Sequence, residues 1–515
     1  MSTFAIVLSL LLLMFFAYRG YTVLLLAPIM AALAVILSGD TAQMLPIYTE
    51  TFMRALGNYM LAFFPIFLLG ARFGQLMADS GAATAIAKWI ERSLGSRHAI
   101  LTVVLACGIL TYGGVSLFVV AFAIYPIAKS LFRDADIPKR LVAPAIALGS
   151  FTFTMTALPG TPSIQNAIPI KYFGTNTFSA PGLGLIGGAI MLTLGILWLR
   201  SREKAARAAG EGYGEHDDND AGLRAMVGEA DMSGDPSRTM PLMLALLPLV
   251  LVIGINALFT YGVFPGMDWA FLKERFPTMD ATRQTGMWAL IIALVASIIV
   301  LLLVSIGRWA NLQQSINKGA LGSMLPIFNT ASEVGYGAVI ASLAGFAIIR
   351  DAVLNVSSNP LISEAVAMNV LAGITGSSSG GLSIALQTLG ADYLRMANEA
   401  GISPDLLHRV AVMSAGVFDS LPHCGAIITL LSICKLTHKQ SYLNIAAMTI
   451  VIPLIALSVV IALGTMFGSF LNRFERKSRK DRAKDRNKAA LKAFLRLLRV
   501  LCALCVQREE AVHCR

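Results

Sequence analysis

The sequence is poor in charge. Of its 515 residues only 14% are Asp, Glu, Lys or Arg, where a soluble domain carries about 25%. A soluble globular protein is therefore excluded. It also lacks a cysteine framework: the six cysteines, Cys107, Cys424, Cys434, Cys502, Cys505 and Cys514, form neither a disulfide pattern nor paired metal knuckles. Cys502 and Cys505 make one CxxC in an apolar tail helix and read as packing. Strand periodicity is missing as well, which argues against sheet-based enzyme folds. No metal site and no cofactor are expected. The net charge of +11 would suggest nucleic acid in a soluble chain, but in a membrane protein basic loops follow from the positive-inside rule, so no nucleic-acid partner is expected.

What the chain has in abundance is apolar length. It is 56% hydrophobic with a mean hydropathy of +0.69, and runs of roughly 17 to 25 residues, each able to cross about 30 Å of hydrocarbon, recur throughout. The fold class is an all-α polytopic membrane protein in the lipid bilayer. Phe4 to Ala17 has no basic segment before it and reads as a retained span rather than a signal peptide. Spans are expected at 3–18, 22–38, 59–78, 141–169 and 182–199, with a Gly-interrupted segment at 99–128. Residues 201–239 are polar, acidic and Gly-rich and read as a linker. The second half gives 241–260, 285–307, 320–349, an interrupted segment at 364–390, then 405–433 and 442–468. The tail, 471–515, is basic and then amphipathic, suited to a membrane surface.

The punctuation of the halves matches. Pro65 pairs with Pro326, Gly114 with Gly381, Pro138 with Pro404 and Pro159 with Pro422, at offsets of 261, 267, 266 and 263. Nearly constant offsets suggest a duplicated architecture, 1–200 and 240–470. An odd number of crossings per half inverts the second. Lys88, Arg92, Arg97, Arg133, Lys139, Arg140, Arg200, Arg308, Lys318, Lys435 and Lys439 then share one side, while Asp40, Glu50, Asp392, Glu399 and Asp405 share the other. That is the positive-inside pattern, with the termini outside the cytoplasm; the basic tail runs against it.

Four interruptions stand out: TYGGVS (111–116), ALPGTPSIQN (157–166), TGSSSGGLS (375–383) and FDSLPHCG (418–425). A break in a membrane helix survives only where it is buried in protein or lines a cavity. Each exposes backbone N–H groups at a half-helix start, which attract anions. The candidate substrate-binding residues are Thr111, Gly113, Gly114, Ser116, Gly160, Thr161, Ser163, Gln165, Asn166, Ser377, Ser378, Ser379, Gly380 and Ser420. Neutral hydroxyls and amides of this kind suit a small carboxylate bearing hydroxyls. Ionisable groups within spans are expensive, which makes Asp419, His423 and Glu333 the candidates for proton coupling. Arg72 and Asp79 lie nearer a span end and are expected to snorkel or pair. GSSSG at 376–380 satisfies a GxSxG signature, but without a strand context it reads as a decoy.

Taken together, FFPIFLLGARFGQLMADSG, LTYGGVSLFVVAFAIYP, FTMTALPGTPSIQNAIP, NTASEVGYGAVI, ITGSSSGGLSIAL and GVFDSLPHCGAIITLL resemble the gluconate permease family of bacterial proton symporters, within the ion transporter superfamily. The resemblance covers roughly 1–470. It implies about ten transmembrane helices, two re-entrant hairpins, two broken helices in inverted repeats, a homodimer, and a place in the bacterial inner membrane. It also implies symport of a small organic acid anion with protons, the substrate being a hydroxy or sugar acid such as 3-hydroxybutyrate or gluconate. A sodium-coupled carboxylate symporter is the alternative, because unwound carbonyls can also coordinate Na⁺.

Overall fold

The computed structural model describes residues 2–19, 21–216, 240–273, 275–277, 279–309 and 311–468. Among these residues there is no strand. The basic tail expected at 471–515 and most of the linker lie outside the described residues.

The first half opens with α1 (Ser2–Tyr18) packed against α2 (Val23–Leu37), followed by the long α3 (Met53–Asp79). Next comes α4 (Ala82–Leu94), which the reading of spans did not anticipate. Its apolar residues Ala82, Ala83, Ile86, Ala87 and Ile90 recur at helical spacing and are buried, while Lys88, Glu91 and Arg92 face outward. At Gly95, with φ of +65°, the chain turns sharply, and the helix that follows lies at 96° to α4. Then α5 (Ala99–Tyr112) and α6 (Leu117–Asp134) form a helical hairpin. A broken helix follows, α7 (Val142–Ser150) and α8 (Ile164–Phe173), separated by a short turn at Phe153–Thr156 and an unwound stretch.

The closing helix of this half, α9 (Pro181–Ala208), runs past the expected end at 199. Residues 200–208, RSREKAARA, are good helix formers, and Glu203 and Arg207 pair at 3.0 Å one turn apart. The chain then folds back. Glu211 meets Arg140 through two hydrogen bonds of 2.6 and 2.8 Å, and the Tyr213 amide donates to Asp136 at 2.8 Å. The start of the linker is thus docked on the loop between α6 and α7.

The second half also places a hairpin before a broken helix. It contains α10 (Leu242–Leu258), α11 (Ala281–Val304), the amphipathic α12 (Leu312–Gly322), α13 (Met324–Ser342) and α14 (Phe346–Leu354). The α12–α13 unit and α14 are bent by 100°, so the expected span at 320–349 is a bent pair. A second hairpin, α15 (Pro360–Thr375) and α16 (Ser378–Glu399), precedes a second broken helix, α17 (Pro404–Phe418) and α18 (Gly425–Cys434). Finally come α19 (His438–Ala446) and α20 (Ile452–Phe467). Among the described residues, five helical stretches are long and apolar enough to cross a membrane, and up to seven if each bent pair counts as one; the hairpins and broken helices supply shorter apolar pieces.

The main core gathers α3 to α9, the second hairpin, the second broken helix and α20. A separate cluster joins α1 and α2 to Phe52, Tyr336 and Val339. Each hairpin tip rests on the break of its own half. A β-carbon at Gly114 would come within 2.7 Å of Pro162, and one at Gly376 within 3.1 Å of the His423 ring. Both glycines have positive φ, +97° and +63°. Only glycine meets both demands at such a place.

Candidate functional site

In the first half two helix N-termini converge. Ser116 precedes α6, and Ser163 caps α8, its hydroxyl accepting from the Asn166 amide at 3.4 Å. Pro159 breaks the ladder between α7 and α8. Its carbonyl accepts from the Tyr112 hydroxyl of the hairpin at 2.7 Å, and Gly160, at φ +81°, donates its N–H to the Thr177 carbonyl at 2.9 Å. The two N-termini face a cavity of about 260 Å³. Its walls include Thr111, Ser116, Ser163, Gln165, Ser323 and Pro326, and none of its lining residues is charged. Thr111 Oγ1 and Gln165 Oε1 are buried without a hydrogen-bond partner. Such groups are expensive to leave unmade, so a polar ligand here gains what they lack. Unsatisfied N–H groups at helix starts add partial positive charge.

In the second half the corresponding helix start meets the chain's own acids. Ser377 caps α16, accepting from the Gly380 amide at 3.1 Å. Glu333 from α13 lies with its carboxyl against Gly380, occupying the place a β-carbon there would take, and its Oε2 has no partner. Asp419, at the end of α17, accepts from the Ser420 hydroxyl at 2.9 Å and lies near Ser378. Ser379 contacts both Thr330 and Ser377 at 3.3 Å. Gln165 Nε2 donates to Ser378 Oγ at 2.9 Å, which links the two halves. The first half directs its helix dipoles at a cavity, the second at carboxyl groups.

A fully buried cation holds the first break in shape. Arg409 of α17 donates to the carbonyls of Thr156 at 2.8 Å, Ser179 at 2.9 and 3.1 Å, and Thr177 at 3.4 Å, and forms no ion pair. Beside it His408 contacts Asn166 Oδ1 at 3.1 Å and Thr175 at 2.6 Å. Asn166 spends its amide N–H groups on the Thr161 and Thr177 carbonyls at 3.0 and 2.8 Å. These bonds stitch 156–179 to α17.

Of the fourteen residues expected around substrate, Thr111, Gly114, Ser116, Ser163 and Gln165 line the cavity. Gly113 packs on Leu249, Gly160 on Phe178, and Asn166 is committed to the stitching just described. Thr161 is fully buried with an unpartnered hydroxyl. Ser377, Ser378, Ser379, Gly380 and Ser420 gather around Asp419 and Glu333 instead. His423 stands apart: its Nε2 contacts the Gly373 carbonyl at 3.0 Å, and no bond joins it to Asp419 or Ser378. The GSSSG signature therefore sits at a helix start with no histidine bonded to its serine. Asp79 accepts from Gln75 at 3.0 Å rather than from Arg72. The sequence reading passed over His408, Arg409 and Glu364. The signal was present in the HR pair inside LLHRVAVMSAG and in the acid of LISEAVAM, each in an apolar run that carries a charge without loop residues.

Unwound helices meeting at buried polar groups, inside a bundle of apolar helices, define a membrane transport protein. The chain belongs to the GntP permease family: residues 1–385 match the GntP family permease. It is 44% identical over 476 residues to the uncharacterized transporter YxjC of Bacillus subtilis (strain 168), covering 91% of this chain and all of the relative. Its fold is similar to that of MtrF of Neisseria gonorrhoeae, described among a class of antimetabolite efflux pumps. There the TM-score is 0.50 at 12% identity, over 84% of this chain and 85% of the other. The protein is a multi-pass transporter of the bacterial inner membrane.

Proposed function

We propose that this transporter is a proton-coupled symporter of a small organic acid anion, a hydroxy or sugar acid such as 3-hydroxybutyrate or gluconate. The observation that carries the reading is the convergence of two helix N-termini, with unpartnered Thr111 and Gln165, on a cavity without charged lining. Amide dipoles and hydroxyls attract a carboxylate, and Gln165 Oε1 accepts from a substrate hydroxyl. A volume of about 260 Å³ lies below the roughly 300–1,000 Å³ of drug-sized sites, which suits a short acid.

The proton is carried by the Asp419 and Glu333 pair. Neither has a cationic partner, and a bare ionised carboxylate buried like Glu333 costs several kcal/mol, so loss and gain of a proton change how tightly the second hairpin is held. His423, committed to Gly373, serves as a secondary candidate. One repeat moves against the other to alternate access, and the protein works as a homodimer, as its sequence resemblance implies.

Uptake of radiolabelled 3-hydroxybutyrate and gluconate into proteoliposomes, with an inward proton gradient and with or without sodium, tests this. Accumulation that a protonophore abolishes and sodium leaves unaltered is the expected result. Accumulation only with sodium replaces the proton with Na⁺, and uptake that never exceeds equilibrium removes active transport.

A further inference from the structure

Glu364 has no part in the cavity or at the α16 start, yet it is as deeply buried as any acid among the described residues. Its exposure is 0%, and both carboxyl oxygens lack a hydrogen-bond partner. It lies in the second turn of α15, within the second hairpin, and α15 packs against α16, α17, α14 and α1.

None of these elements brings it a counter-charge. From α16 the facing titratable group is Tyr393, whose hydroxyl donates to the Ser363 carbonyl at 3.3 Å. The neighbouring Asp392 is bound by Arg350 of α14 at 2.7 Å and by Arg395 at 3.1 Å. The single acid of α14 is Asp351. On α17, Asp405 accepts from Ser179, while His408 and Arg409 are committed to Asn166, Thr175 and the carbonyls of 156–179. The α1 segment contains no charged residue. An ionised carboxylate left bare in such a place costs several kcal/mol, and a carboxylic acid gains nothing there that leucine would not. Intramembrane acids without structural employment are candidates for ion pathways.

We infer that Glu364 is a second proton-binding site, which moves with the second hairpin and makes the transport cycle electrogenic. The inference rests on the proton-symport reading above. In this step an O–H bond forms on a Glu364 carboxyl oxygen with a proton from the external water, and the same bond breaks to release that proton to the cytoplasm. Two protons and one monoanion then carry one net positive charge inward per turnover. At equal pH on both sides, about 60 mV, inside negative, drives about tenfold accumulation through that charge, whereas a one-proton cycle gives none.

The test uses the full chain in proteoliposomes, with a valinomycin potassium potential imposed at zero pH gradient and, separately, a pH gradient at zero potential. Wild type is expected to accumulate the acid under either force, and Glu364→Gln under the pH gradient alone, while Glu364→Asp keeps both responses. If Glu364→Gln fails to accumulate at all, counterflow of labelled against unlabelled substrate decides. Exchange without net accumulation supports the site, and loss of both overturns it in favour of a packing role. A wild type driven by the pH gradient but blind to potential overturns the inference and leaves the symport reading standing. A Glu364→Gln protein still driven by potential also overturns it. A wild type that ignores the proton gradient altogether removes the underlying reading instead.

Discussion

Gln165 Nε2 donates to Ser378 Oγ at 2.9 Å, tying the broken helix of the first half to the hairpin start of the second. The other end of the same amide, Oε1, is unpartnered at the cavity wall. Under the proposed function, substrate contact and contact between the two halves therefore pass through one side chain.

Gln165→Ala removes both. A typical hydrogen bond contributes about 1 kcal/mol, so loss of the bond to substrate is expected to raise the apparent KM for the organic acid about fivefold. Ser378→Ala spares Oε1 and is expected to change KM less than Gln165→Ala. Initial-rate uptake across substrate concentrations measures both.

Glu333→Gln and Asp419→Asn keep shape and hydrogen bonding but remove the exchangeable proton. Each is expected to retain counterflow while losing accumulation under an inward proton gradient. Full accumulation in either variant assigns the proton to the other residue; full accumulation in both, and in the double variant, excludes the pair.

Gly114→Ala places a β-carbon 2.7 Å from Pro162 at a φ of +97°. A non-glycine residue held in such a conformation costs of order 1–3 kcal/mol. Detergent-solubilised protein is expected to melt at lower temperature and transport poorly. Gly39→Ala shares a positive φ, +91°, but meets nothing within 4 Å, so it separates backbone strain from loss of the tip contact.

Arg409→Met deletes the donors that hold the Thr156, Thr177 and Ser179 carbonyls. Each buried group left unsatisfied costs about 1–3 kcal/mol, and a loss of about 3 kcal/mol or more is expected by thermal unfolding. Arg409→Lys, which restores the charge without the planar fork, is expected to recover only part.

The docked linker carries a pH dependence of defined sign. Hydrogen bonding by the Arg140 guanidinium holds the Glu211 carboxyl below the usual carboxylate range. A depressed folded value means the contact stabilises above the ordinary carboxylate pKa and is lost as pH falls through the lowered one. Protease cleavage within residues 209–216 is expected to be slow at neutral pH and faster near pH 3. Glu211→Gln should cleave rapidly at both, and the Arg140→Glu, Glu211→Arg exchange should restore protection. Cleavage measured with an acid-tolerant protease and one active at neutral pH checks this.

Much of the fold was legible because the bilayer imposes coarse rules. Apolar length marked the spans, and Gly and Pro marked the breaks, so the hairpin tip at Gly114 and the break at Pro159 fell where expected. Helices that lie along the bundle were harder to see. In α4 the apolar stripe is interleaved with Lys88, Glu91 and Arg92, which lowers hydropathy below that of a span. Asn166 had the right chemistry for substrate, but no local pattern reveals that His408, 242 residues away, already holds its oxygen. Glu333 was visible as an acid in a span; its resting place against Gly380 depends on how α13 crosses α16, which is tertiary information.

Under the proposed function, the absence of charge from the cavity wall separates recognition from energisation. Peptide dipoles and hydroxyls do not titrate between pH 5 and 9, so the affinity for an acid that is fully ionised over that range has no reason to follow pH. Under the proposed symport, acidity then acts on turnover, through groups outside the cavity wall. Selection among cargo molecules is left to the number and placement of their hydroxyls. Relatives sharing the same acids could exchange one cargo for another by altering the wall alone, with the coupling machinery untouched.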